Sequence, residues 1–183
     1  MWILARWELI VCWAVFFYPY IFRAPHWQKR PSVVRAGPSR AGMLLEAAAF
    51  VVAFSFPLET QPASIRLVPA MLLAPVGAAL AWNSLRYLGR QFRLNAGLWE
   101  DHELVRTGPY AVVRHPIYAA LGAMLLASIL IYTRWPWWLA ALALYVAGTE
   151  IRVRTEDQLL ASRFGTTAAE YQRTVPAYVP FLR

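Results

Sequence analysis

Five apolar runs constrain this chain more than any other feature: residues 2–22, 43–57, 67–88, 116–132 and 137–148. A run of ~20 apolar residues reaches across a bilayer core as a helix. Backbone polar groups in lipid must pair within their own segment, so helices are the natural outcome. The chain is 59% hydrophobic and only 15% charged, outside the range of a soluble domain. The sequence therefore predicts an all-α, polytopic membrane helix bundle with about five transmembrane helices. Trp2, Trp7, Tyr18 and Tyr20 flank the first run, as interfacial aromatics do. Met1 to Phe22 lacks a basic leader and a small-residue cleavage site, so it reads as a permanent first helix.

The connections set the topology. Pro69 and Pro75 predict a kink in the third span. Beyond Gly148 a helical pattern continues through Glu150, Arg154 and Gln158 to Phe164, where Gly165 is a natural stop. The last 18 residues read as a polar tail. Basic residues gather in the loop at 23–40, the segment at 86–114 and the stretch from Arg152 to Arg183. Together these hold fifteen of the 18 Lys and Arg, leaving Arg6, Arg66 and Arg134 for the opposite side. The basic side is cytoplasmic by the positive-inside bias. The expectation is an integral membrane protein of a bacterial inner membrane, N-terminus outside, with a cytoplasmic C-terminal helix and tail. The net charge of +8 follows from this topology and calls for no nucleic acid. The single cysteine, Cys12, lies in an apolar run and builds neither a disulfide nor a metal site.

The polar stretch from Arg106 to Gly122 carries the chemistry. Gly108-Pro109 marks a turn, and Pro116 suits the first turn of a helix. Arg114 and His115 then stand just ahead of a helix N-terminus, which favours an anion. No Gly-x-Gly-x-x-Gly follows a strand, so a nucleotide-like cofactor would need a site assembled from helix ends and the tail.

Gly108-Pro109-Tyr110 followed by Val113-Arg114-His115-Pro116-x-Tyr118 resembles the signature of the isoprenylcysteine carboxyl methyltransferase family, related to phospholipid N-methyltransferases. Arg152-x-x-x-Glu156-Asp157, Phe164-Gly165, Tyr171 and Val175-Pro176 resemble its C-terminal block. Three departures are visible. Asp157 stands where a second Glu is usual, a second tyrosine near Thr174 is missing, and Ala120 replaces a glycine expected to border the pocket. The resemblance covers roughly residues 85–183. It implies an integral-membrane methyltransferase using S-adenosyl-L-methionine on a lipophilic or lipid substrate. Residues 1–88 would then be N-terminal spans and residues 89–183 the catalytic part of one membrane domain.

The resemblance implies cofactor binding by Gly108, Pro109, Tyr110, Arg114, His115, Pro116, Tyr118, Glu156 and Asp157, with no metal. Arg114 and His115 would hold the cofactor carboxylate, and Glu156 or Asp157 its ammonium or ribose hydroxyls. Tyr110 and Tyr118 would offer aromatic surface. His115 or Glu156 is the candidate base for an amine acceptor, and Arg173 the candidate partner of an acidic substrate. His102 reads as a loop residue without a role. Two rivals stay open: a membrane NADPH-dependent reductase of the sterol-reductase type, which shares an Arg-His-Pro-x-Tyr segment, and a non-catalytic membrane scaffold.

Overall fold

The computed structural model describes residues 1–22, 32–35, 37–94 and 96–179. Among these residues six α-helices carry the fold: α1 (Trp2–Phe22), α2 (Pro38–Ser55), α3 (Ser64–Leu88), α4 (Pro116–Tyr132), α5 (Trp137–Phe164) and α6 (Thr166–Thr174). Among the described residues the bundle is all-helical apart from one short antiparallel pair that the apolar pattern did not announce. In it β1 (Ser32–Arg35) lies beside β2 (Gly97–Trp99), with Val34 opposite Leu98. Arg23, Lys29, Arg30 and Arg183, counted above for topology, lie outside the described residues.

The central element is α4. One face packs Ala120, Met124 and Ala127 against α1 and α3, where Leu9, Phe16, Ala74 and Ala78 meet them. The other packs Leu125 and Ile129 against Ala49 and Ala53 of α2 and Ala141 and Tyr145 of α5. A helix clasped on two faces has no polar stripe, and its sequence shows none. Away from α4 the bundle turns apolar side chains outward: Ile3, Leu4, Leu44, Val51, Leu72 and Val76 are all more than half exposed. Large apolar side chains turned outward on several helices suit lipid rather than water.

Among the described residues two helices, Trp2–Phe22 and the run Ser64–Gln91, are long and apolar enough to cross a membrane; Pro116–Tyr132 is apolar but shorter. The helix Ser64–Leu88 continues through Pro69 and Pro75 without a break. Around the second apolar run the helix starts earlier than expected, at Pro38, because proline suits a first helical turn. The extension of α5 to Phe164 and its stop at Gly165 match the sequence expectation. The tail, by contrast, is not all irregular: Thr166 to Thr174 form α6, burying Ala168 and Tyr171.

Ala120 lies neither on the lipid face nor on the cavity described below. It is fully buried in the α3–α4 seam, and its carbonyl is 3.0 Å from where a Cβ on Gly77 would stand. The reason is helical phase: Tyr118 and Ala120 are about 200° apart around an α-helix, so only one can face the cavity.

Candidate functional site

At the N-terminal end of α4 the chain folds back on itself. The amides of Arg114 and His115 donate to the carbonyls of Pro176 and Ala177 at 2.9 and 2.7 Å. The Tyr171 hydroxyl donates to the carbonyl of Tyr110 at 2.6 Å. The tail is therefore stitched to the Arg106–Gly122 stretch. The two motif blocks become one site.

Its centre is His115, whose side chain is 5% exposed. Nε2 lies 3.0 Å from Asp157 Oδ1 and Nδ1 lies 3.3 Å from Glu156 Oε2. Both ring nitrogens thus face carboxylates, a geometry that fits the doubly protonated imidazolium. Burial works against that charge, but the hydrogen bonds to Asp157 and Glu156 and their negative charges prevail, raising the pKa to about 9. The acids respond in kind. Burial pushes Glu156 up, yet His115 and then Arg152 and the Tyr118 hydroxyl pull it below the ordinary carboxylate range. Asp157 is likewise lowered, its burial outweighed by His115 and Arg114.

The two acids differ in what they face. Glu156 keeps 27% of its side chain exposed, accepts a hydrogen bond from the Tyr118 hydroxyl and lines a cavity of about 320 Å³. Asp157 stands behind it, 2.7 Å from Arg114 Nη2, and does not line the cavity. Arg114 also donates Nη1 to the carbonyls of Gln172, at 2.9 Å, and Val175. Its guanidinium is taken up by the protein itself, so it acts as the rivet between α4, α5 and the tail rather than as a free anchor for a ligand carboxylate.

Of the residues expected at the cofactor, Tyr110, Arg114, His115, Pro116, Tyr118 and Glu156 line the cavity; Gly108, Pro109 and Asp157 do not. Gly108 has φ +61° and lies flush against the Tyr87 ring, where a Cβ would come within 2.6 Å. The Pro109 carbonyl accepts the amides of Val112 and Val113 at 3.1 Å. Both residues shape the loop. Arg173 is exposed on α6 and stands away from the cavity, because Tyr171 and Ala168 take the buried face of that helix.

Several lining residues were not anticipated. The buried Tyr20 hydroxyl, Gln91 Oε1, His102 Nδ1 and Arg152 Nε, together with the Tyr110 hydroxyl already expected there, have no hydrogen-bond partner among the described residues. All five side chains line this cavity. Buried polar groups without partners are rare and point to a ligand that supplies them. His102, read from sequence as an idle loop residue, is kept neutral by burial and by Arg93, its pKa lowered to about 4. The available signal was its place four residues before the Arg106–Gly122 stretch, which spacing alone could not convert into proximity. A cavity of this volume, with aromatic walls and convergent polar atoms, has the character of a small-molecule site. Among the described residues no group of three or more His, Cys, Asp or Glu could hold a metal ion.

The model of the phospholipid methyltransferase family matches residues 65–167, a stretch that carries His102, Tyr110, His115, Arg152 and Glu156. The chain is also 35% identical over 88 residues to the protein-S-isoprenylcysteine O-methyltransferase of Schizosaccharomyces pombe, covering 45% of this chain and 35% of that protein. It is 33% identical over 122 residues to the cobalt-zinc-cadmium resistance protein CzcN of Cupriavidus metallidurans, covering 61% of this chain and 50% of that one. The matched stretches span between a third and a half of the length of these curated relatives.

Proposed function

We propose, from the premise that this chain belongs to the phospholipid methyltransferase family, that it is an integral-membrane enzyme passing a methyl group from S-adenosylmethionine to a lipophilic acceptor. The observation that carries this is the cavity wall itself, where His115 and Glu156, backed by Asp157, meet five polar groups unpartnered among the described residues. S-adenosylmethionine, when bound, supplies an electrophilic methyl on a sulfonium. Glu156, ionised and facing the cavity, accepts from an ammonium or a ribose hydroxyl. Tyr110, Gln91 and His102 give the polar edges of an adenosyl group their partners, and Tyr118 and Phe92 supply aromatic surface.

Methyl transfer is an in-line displacement, and holding the reactants in line is worth ~7–11 kcal/mol. A carboxylate acceptor needs no base. An amine acceptor does, and Glu156 is then the better candidate, because His115 already carries both protons between its two acids. A lipophilic acceptor enters sideways from the membrane through a groove of about 630 Å³ lined by Trp13, Phe17, Met43, Phe50, Phe54 and Leu121. Phe17 and Leu121 also line the cofactor cavity, so the two spaces adjoin. In this reading residues 89–183 carry the chemistry, and α1 and α2 of the first 88 residues form the entrance.

Calorimetry on detergent-purified protein tests the reading with S-adenosylmethionine, S-adenosylhomocysteine and NADPH in turn. The two adenosyl compounds bind, and His115→Ala and Glu156→Gln each weaken S-adenosylhomocysteine by ~10- to 150-fold, the equivalent of a charged hydrogen bond. Binding of NADPH alone would turn the assignment to a reductase.

A further inference from the structure

Glu46 lies on α2, outside the stretch that the family model matches, yet it makes the most buried carboxylate contact with the site. The residue is 4% exposed. One oxygen accepts from Arg152 Nη1 at 2.7 Å and the other from the Thr149 hydroxyl at 3.1 Å. Arg152 gives Nη2 to the Leu94 carbonyl at 2.9 Å and lays its guanidinium carbon 4.8 Å over the Tyr118 ring. Its Nε–H remains buried and without a partner among the described residues. Arg152 is also the charged residue common to both spaces, lining the cofactor cavity and the lateral groove.

Helix packing is arranged to permit this. Gly42, one turn before Glu46, lies against Gly148, one turn before Arg152. A Cβ on Gly42 would stand 2.5 Å from Arg152 Cγ and 2.6 Å from the Gly148 carbonyl. The arginine stem therefore runs along bare backbone, and the Glu46 carboxylate meets its head. Well-packed apolar residues often serve stability as well as a buried ion pair does or better, so stability is a weak account of the pair. Its position between the two spaces is a better one.

We propose that Glu46 is a positioning residue. It holds the Arg152 guanidinium so that the free Nε–H edge faces the methyl acceptor, whose polar end presents an oxygen there, carboxylate or phosphate alike. This rests on the methyltransferase reading above. Wild type, Glu46→Gln, Arg152→Met and the double variant are assayed for methylation of N-acetyl-S-farnesylcysteine and of dioleoylphosphatidylethanolamine in mixed micelles, with S-adenosylhomocysteine titrated in parallel. Glu46→Gln raises the acceptor KM about tenfold and leaves S-adenosylhomocysteine affinity within about threefold of wild type; in the Arg152→Met background the same change adds nothing, because contacting residues couple. Equal losses in both backgrounds, a parallel loss of cofactor affinity, or an unchanged KM overturns the proposal. Should Glu46→Gln fail to fold, Glu46→Asp withdraws the carboxylate by one methylene and is judged by the same outcomes. Should wild type bind S-adenosylhomocysteine but methylate neither probe, the Arg152 Nε–H resonance of ¹⁵N-labelled protein decides: it shifts or broadens in Glu46→Gln, and an unchanged signal refutes the role. Failure of wild type itself to bind S-adenosylhomocysteine would instead sink the parent reading.

Discussion

At the scale of single residues, the charge on His115 governs how the site responds to pH. Its folded pKa of about 9 exceeds the ordinary value of ~6.5, so its contribution to stability is fully present below ~6.5 and is lost as pH rises through about 9. Glu156 and Asp157 are shifted down, so their contribution is present above the ordinary carboxylate range and is lost as pH falls. The melting temperature of the purified protein should accordingly hold a plateau between about pH 5 and 6.5 and decline toward pH 10. In His115→Gln the alkaline decline should flatten. A wild-type decline of the same steepness in that variant would show that other groups set it. The sequence made His115 and Glu156 legible as candidates because both sit in recognisable motif blocks. It could not reveal that Arg114 is spent on Asp157 and on the Gln172 and Val175 carbonyls, since those bonds depend on where α6 and the tail return.

Among helices, close approach matters more than pattern. The α2–α5 crossing runs through Gly42 and Gly148, small residues that let backbones touch as in other membrane bundles. Gly42→Ala should cost ~1–3 kcal/mol, the usual penalty of overpacking, and should lower the melting temperature. Gly37→Ala is the matched control, because a Cβ there meets nothing within 4 Å, and should be near neutral. Equal effects would mean that the crossing is looser than the structure has it. A related test concerns the α3–α4 seam. Ala120→Leu adds bulk to a fully buried contact with Gly77, so it should lower stability by ~1–3 kcal/mol, with cofactor affinity preserved in the fraction that remains folded. A selective loss of S-adenosylhomocysteine binding, with an unchanged melting temperature, would return Ala120 to the pocket. The helices themselves were legible as apolar runs. The Glu46–Arg152 pair was not, because its partners are 106 residues apart. A lone acid inside an apolar run was the signal, and without a partner it had no meaning.

For the molecule as a whole, the decisive property is the separation of charge between its two ends. Arg114 and His115 meet the tail at the N-terminal end of α4. Near the other end, Arg6 donates to the Tyr132 hydroxyl at 3.3 Å and Arg66 to the carbonyls of Ile129 and Thr133 at 2.9 and 2.7 Å. Arg134 pairs with Glu59 at 2.6 Å beside them. The three basic residues that loop counting left for the opposite side thus share one end of the bundle, and 17 residues of α4 at 1.5 Å each put roughly 25 Å between it and the His115 site. Counting charges could reach this much because the grouping depends only on alternation along the chain. The number of crossings depends on where lipid meets each helix, which no residue pattern states. If the basic end is cytoplasmic, the C-terminus is cytoplasmic too, and the cavity proposed for the cofactor opens to the compartment that would supply it. A C-terminal alkaline phosphatase fusion, active only outside the cytoplasm, should be silent in cells, and a green fluorescent protein fusion at the same place should fluoresce. An active phosphatase with a dark fluorescent fusion would require an inverted bundle. The cavity proposed for the cofactor would then face away from the cytoplasm, and the proposed use of S-adenosylmethionine would need a different source for it.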